Sequence, residues 1–162
     1  MIFYRSLFYG LVAIALLQTV FYYPQMPDVV ASHFDGSGAA DGWSTRTVFF
    51  AIYLAIIGLV VAVFTFLPGR FGEQGKLRMN LPNRDYWLAP ERRQQTLVFF
   101  QRQMMILGIA HLLLAIYTIQ LAIIANLQQA GQLHSSIFWA LGLYCLFLAV
   151  WLIRFFLQFR KP

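Results

Sequence analysis

No charged residue occurs between Arg102 and Arg154, a run of 51 residues, and two further charge-free runs cover residues 6–27 and 47–69. A soluble domain carries roughly a quarter of its residues as charges. Here 11% are charged, 60% are apolar and 17% aromatic, so the apolar runs belong in lipid. A transmembrane helix needs about 20 apolar residues. The two shorter runs therefore hold one helix each. The long run holds two, divided by the polar segment 126–136, NLQQAGQLHSS. The sequence predicts an all-α integral membrane four-helix bundle, one membrane domain over 1–162, with spans near 7–22, 48–67, 104–127 and 136–156.

The basic residues orient this bundle, because Lys and Arg in short loops stay on the cytoplasmic side. With both termini inside, eleven of the twelve basic residues fall on the inner side and Arg46 alone falls outside. Residues 23–46 then form an outward loop, and residues 68–103 a basic inner loop. The sequence pI of about 9.8 thus reports topology and attraction to anionic headgroups, and nucleic acid is not an expected partner. Bulky Val20, Phe21, Tyr22 and Tyr23 stand where a signal peptide would carry small residues, so the first helix is expected to be retained. Cys145, the only cysteine, excludes an intramolecular disulfide and is expected to pack within the fourth span.

The outward loop, YPQMPDVVASHFDGSGAADGWSTR, is the candidate site. Pro24 and Pro27 interrupt helix, Gly36, Gly38 and Gly42 supply turns, and Asp28, His33, Asp35 and Asp41 bring ionisable groups between two apolar spans. Asp28 reads as a cap for the short segment 29–34. Imidazole with two carboxylates is a sensible set for a divalent ion, and the intervening Gly-Ser-Gly would let Asp35 and Asp41 converge with His33. Asp-Gly pairs are equally ordinary turn dipeptides, and Trp43 is equally an interfacial anchor. A structural lid, a recognition surface and a metal or acid–base site all remain open at this level.

Met26-Pro27-Asp28-Val29-Val30-Ala31-Ser32-His33-Phe34, then Gly38, then Asp41-Gly42-Trp43-Ser44-Thr45-Arg46, resembles a bacterial membrane domain of unknown function that also forms the N-terminal part of the SdpI (sporulation-delaying-protein immunity) family. Its pattern is Leu-Pro-Asp-x-(Ile/Val)-Pro-x-His-(Phe/Trp), a Gly, then Asp-Gly-(Tyr/Trp) and a basic residue. With a helix on each side, the resemblance covers roughly the first 65 residues. It implies a bacterial cytoplasmic membrane location and gives functional weight to Pro27, His33, Gly38, Asp41, Gly42 and Arg46. Ala31 departs from the pattern where the family has a second Pro, and the chain lacks the further helices of the larger immunity proteins.

The inner loop carries its own candidate surface. Asn83, Arg84, Tyr86, Trp87, Arg92 and Arg93 mix charge with interfacial aromatics, suited to a partner or to an anionic headgroup, or simply to lying on the membrane surface. The stretch is similar to an Asn-x-Pro-Asn-(Lys/Arg)-x-Tyr-Trp-Leu pattern of the same family. Pro90-Glu91 suits a first helical turn, and a helix continuing from it through the third span would have about 38 residues. Gly58 is expected to mark a close helix contact in the second span. His111 is the one ionisable group placed in hydrocarbon, either a hydrogen-bonded core histidine or a proton relay. Gln120 and Asn126 lie where they could reach the outward loop.

No Ser-His-Asp set, phosphate-cradling loop or H-E-x-x-H occurs. The expectation is a non-enzymatic membrane protein using its outward loop to recognise a partner or ligand. It would act as an accessory subunit of a membrane complex or as an immunity-like binder, with no cofactor. Its partners would be the bilayer and another membrane protein or a second copy of itself. The alternative is a metal-dependent enzyme at the outer leaflet through His33 with Asp35 or Asp41.

Overall fold

The computed structural model describes residues 1–68 and 82–160. Residues 69–81, with Arg70, Lys76 and Arg78 of the basic loop, and residues 161–162 lie outside the described residues. Among the described residues four helices are long and apolar enough to cross a membrane: α1 (Ile2–Tyr22), α2 (Arg46–Phe66), α4 (Pro90–Leu127) and α5 (Ser136–Arg160). The chain is a multi-pass membrane protein whose apolar helices contact lipid. Between α1 and α2 lie a 3-10 turn at Tyr23–Gln25 and a hairpin of β1 (Val29–Phe34) and β2 (Ala40–Thr45). A four-residue helix, α3 (Arg84–Trp87), precedes α4. As expected, α4 has 38 residues. At 1.5 Å per residue it reaches ~57 Å, far more than the ~30 Å hydrocarbon core.

The hairpin departs from the all-α expectation. Backbone amides at a membrane boundary need partners, and two six-residue segments set between Pro27 and an Asp-Gly-Ser-Gly turn are too short to supply them as helix. Paired strands do so across a five-residue turn, and α2 then starts directly on β2. Asp28 therefore does not cap a helix. The capping residue is Thr45, whose Oγ1 accepts from the Val48 N–H at 3.3 Å.

One hydrophobic core runs through α1, α2, α4 and the hairpin cap. Phe8 and Ala15 of α1, Tyr53 and Ile57 of α2 and Leu112 of α4 are buried in it, and so are Met26 and Val30 of the cap. The cap is therefore part of the bundle. The close backbone approach is at Gly108 on α4, where an added Cβ would lie 2.8 Å from the Phe8 ring and 2.9 Å from that of Phe64. Gly58, expected to play this part, is exposed with nothing near its Cα hydrogens. Helix α5 is the outlier, burying only Ile137 and Phe159, near its two ends. Cys145 at its middle is exposed, against the expectation of a packed position.

Candidate functional site

The hairpin is fastened along both edges. The free edge of β1 is met by the side chain of Asn126 on α4: its Oδ1 accepts from the Ala31 N–H at 2.7 Å and its Nδ2 donates to the Ala31 carbonyl at 2.9 Å. A primary amide thus stands in for one residue of a neighbouring strand. The other edge is met by the α4–α5 linker, where Ala40 N donates to the Gly131 carbonyl at 2.9 Å and Leu133 N to the Gly38 carbonyl at 2.8 Å. Gly38 has φ +89° and packs against Leu133, a conformation that suits glycine. These bonds leave little exposed edge for another chain to pair with.

The base of the hairpin is held by Arg46. Its guanidinium donates to the Met26 carbonyl at 2.9 Å, pairs with Asp28 at 3.1 Å and lies 5.3 Å from the centre of the Tyr23 ring. Arg46 and Asp28 are thus committed to each other. The tip is held by Asp35, whose Oδ1 accepts from the Ser37 hydroxyl, the Ser37 N–H and the Ala39 N–H at 2.7, 2.8 and 3.0 Å. The Ser37 hydroxyl, followed by these backbone N–H groups, holds the Asp35 carboxyl below its usual 3.8.

His33 and Asp41 do meet. The pairing register skips Ser32 on β1 and Asp41 on β2, and such bulges re-aim side chains. His33 Nδ1 lies 2.5 Å from Asp41 Oδ1. A carboxylate only accepts, so Nδ1 carries the proton and Nε2 is turned outward. Gly42 faces His33 with no room for a side chain, an added Cβ falling 2.9 Å from the His33 Cβ. Asp41 and Trp43 alternate on the exposed face of β2, and Trp43 is 63% exposed. His33, Asp41 and Trp43 form the exposed group of this cap. Pro27 is exposed at its base.

Asp35 does not join the dyad, because its carboxylate is taken up by the turn it closes. Among the described residues no three His, Cys, Asp or Glu side chains gather as a metal-binding group. An imidazole oriented by a carboxylate can still donate, accept or relay a proton through its outer nitrogen.

Two of the inner-loop candidates, Asn83 and Trp87, are used structurally. Asn83 Nδ2 donates to the carbonyls of Phe159 and Arg160 at 3.1 and 2.9 Å, and Trp87 Nε1 to that of Phe159 at 3.3 Å. These side chains satisfy the last turn of α5, whose carbonyls have no intrahelical donors. The Arg92 guanidinium lies 4.0 Å from the centre of the Tyr86 ring. Arg84 is exposed and Arg93 half-buried beside this cluster.

Within the spans, His111 Nδ1 donates to the Leu107 carbonyl at 2.8 Å and Nε2 accepts from Tyr144 Oη at 2.9 Å. Both nitrogens of a neutral imidazole are thereby satisfied. Gln120 does not reach the hairpin. It accepts from Gln18 Nε2 at 2.9 Å and donates to Tyr22 Oη at 3.1 Å, while Tyr53 donates to Gln18 Oε1 at 2.7 Å. This network ties α1, α2 and α4 beneath the cap. Tyr53 was not singled out by sequence reasoning; the legible signal was Gln18, a polar residue near the outer end of an apolar span, which the sequence expects to bond to a neighbouring helix or to the loop.

Fold and site define a class: a multi-pass membrane protein with a hairpin cap built into one end of its bundle. A family model described as a domain of unknown function (DUF1648) matches residues 10–59, which cover most of α1, the whole cap and much of α2. Comparison with curated proteins and with solved structures returned no match.

Proposed function

We propose that this chain is a non-enzymatic protein of the bacterial cytoplasmic membrane, with both termini inside, that presents its hairpin outside to recognise a partner membrane protein or ligand. It acts as an accessory subunit or, as the resemblance to the immunity family suggests, as an immunity-like binder. One observation carries the reading. Asp28, Asp35, Arg46 and Asn126 are spent on holding the cap rigid, whereas His33, Asp41 and Trp43 are exposed on it. A rigid platform with an exposed aromatic and a hydrogen-bonding dyad has the composition of a recognition surface.

The test is affinity purification of the full chain in mild detergent, with and without His33→Ala/Asp41→Ala. A stoichiometric membrane partner that is lost with the double variant and kept with Asp35→Asn is the expected result. A lone monomer, or a partner indifferent to the double variant, overturns the reading. The orientation of the His33 imidazole by Asp41 favours a second reading, metal-dependent chemistry at this surface. One equivalent of zinc or manganese retained on purification and lost with His33→Ala would select it.

A further inference from the structure

Between its two buried ends α5 meets α4 through the Tyr144–His111 hydrogen bond, and cavities line the rest of the seam. One cavity of 510 Å³ runs from Tyr117 and Ala140 down to Ile106 and Phe147, and a second of 640 Å³ continues from Ile106 to Arg154 and Gln158. On α4 the lining residues fall on one stripe, Phe99, Gln103, Ile106, Ala110, Leu113 and Tyr117, the spacing of a single helix face. In a bilayer this seam holds hydrocarbon, and its walls say which kind. Bulky residues predominate, whereas helices that dock closely in membranes present stripes of small residues. The larger cavity is within the ~300–1,000 Å³ range of small-molecule sites.

The lower end of the seam is polar. Arg154 has no carboxylate partner among the described residues. Gln103 and Gln158 line the same cavity, and the Trp151 indole N–H is buried without an acceptor among the described residues. All four side chains offer donors, and among the described residues no acidic side chain lines the cavity. From Arg154 to Leu143 is about 16 Å of helix, one leaflet of a ~30 Å core. An unpaired guanidinium with amide donors at headgroup depth matches a phosphate, which Arg engages bidentately. The apolar channel above it matches an acyl chain.

We infer that the α4–α5 seam is a binding site for one anionic phospholipid, its phosphate on Arg154 and the neighbouring amides, and its acyl chain between Ile106 and Phe147. The ligand completes the packing of α5, which buries little against the rest of the protein.

The experiment is native mass spectrometry of the full chain in mild detergent, titrated with phosphatidylglycerol or phosphatidylcholine of identical chains. The wild type is expected to retain one phosphatidylglycerol with about tenfold preference over phosphatidylcholine, the scale of one charge-assisted hydrogen-bonded pair. Arg154→Gln is expected to abolish that preference. Arg5→Gln, which removes the same charge from α1 outside the seam, keeps it. Trp151→Phe retains ring volume without the N–H, and is expected to weaken retention. Equal retention of the two lipids by the wild type overturns the inference, whatever the variants do. So does a dimer in which, in a Cys145→Ser background, Leu146→Cys on α5 crosslinks between copies while no lipid is bound.

Discussion

Gly108, Asn126 and Asp35 each fix one local geometry of this protein, and each gives a measurable expectation. Gly108→Ala places a methyl within 3 Å of Phe8 and Phe64, which are both buried. Overpacking of this kind costs about 1–3 kcal/mol, and reversible unfolding by denaturing detergent in mixed micelles should show it. Gly58→Ala, at an exposed position with open space, should be neutral within that assay. Asn126→Leu strips the Ala31 N–H and carbonyl of their partners, and an unsatisfied buried group costs about 1–3 kcal/mol. Faster hydrogen exchange at Ala31, with α2 amides unchanged, is the expected signature. Asp35 gives a pH dependence. Its carboxyl titrates lower when folded than its free value of 3.8, so the stability it adds to the turn is fully present above that value. It is lost as pH falls through the lower, folded value. Protection of the Ser37 and Ala39 amides, taken relative to their intrinsic exchange, should fall in that acid window, and Asp35→Asn should remove that change.

At the scale of elements, the spans were legible and the cap was not. The helices follow from charge-free runs of sufficient length, and the 38-residue α4 follows from Pro90 opening it with no further break. The hairpin had a signal, two short runs around Asp35-Gly36-Ser37-Gly38, but β1 does not alternate. Val30 and Ala31 are both buried, one in the core and the other beneath Asn126. Its period is set by tertiary partners 95 residues away. The same physics hid the role of Asn83 and Trp87. Both read as membrane-surface residues, and both are consumed in ending α5. Asn83→Ala should free the carbonyls of Phe159 and Arg160 and loosen the Phe159 anchor, because Trp87 alone would then hold the last turn. Increased exchange over the last two turns of α5, with α1 and α2 unaffected, checks this.

For the whole molecule, the direction of insertion decides what the dyad can meet. Among the described residues, Arg5, Arg84, Arg92, Arg93, Arg102, Arg154 and Arg160 belong to the end away from the hairpin, and Arg46 alone is at the hairpin. Carrying seven guanidiniums across the bilayer is far costlier than carrying one, and at the hairpin that one is already paired with Asp28. Hence Ser37 at the tip should lie outside and Asp85 in α3 inside. In a Cys145→Ser background, Ser37→Cys should react with a membrane-impermeant maleimide in intact spheroplasts, and Asp85→Cys only after lysis. The reverse pattern would put His33, Asp41 and Trp43 in the cytoplasm and end the proposal of outward recognition. It would leave the lipid seam standing, because α4 and α5 form that groove in either orientation. The two proposals therefore fail separately: labelling decides which compartment the cap faces, and lipid retention decides what fills the space beside α5.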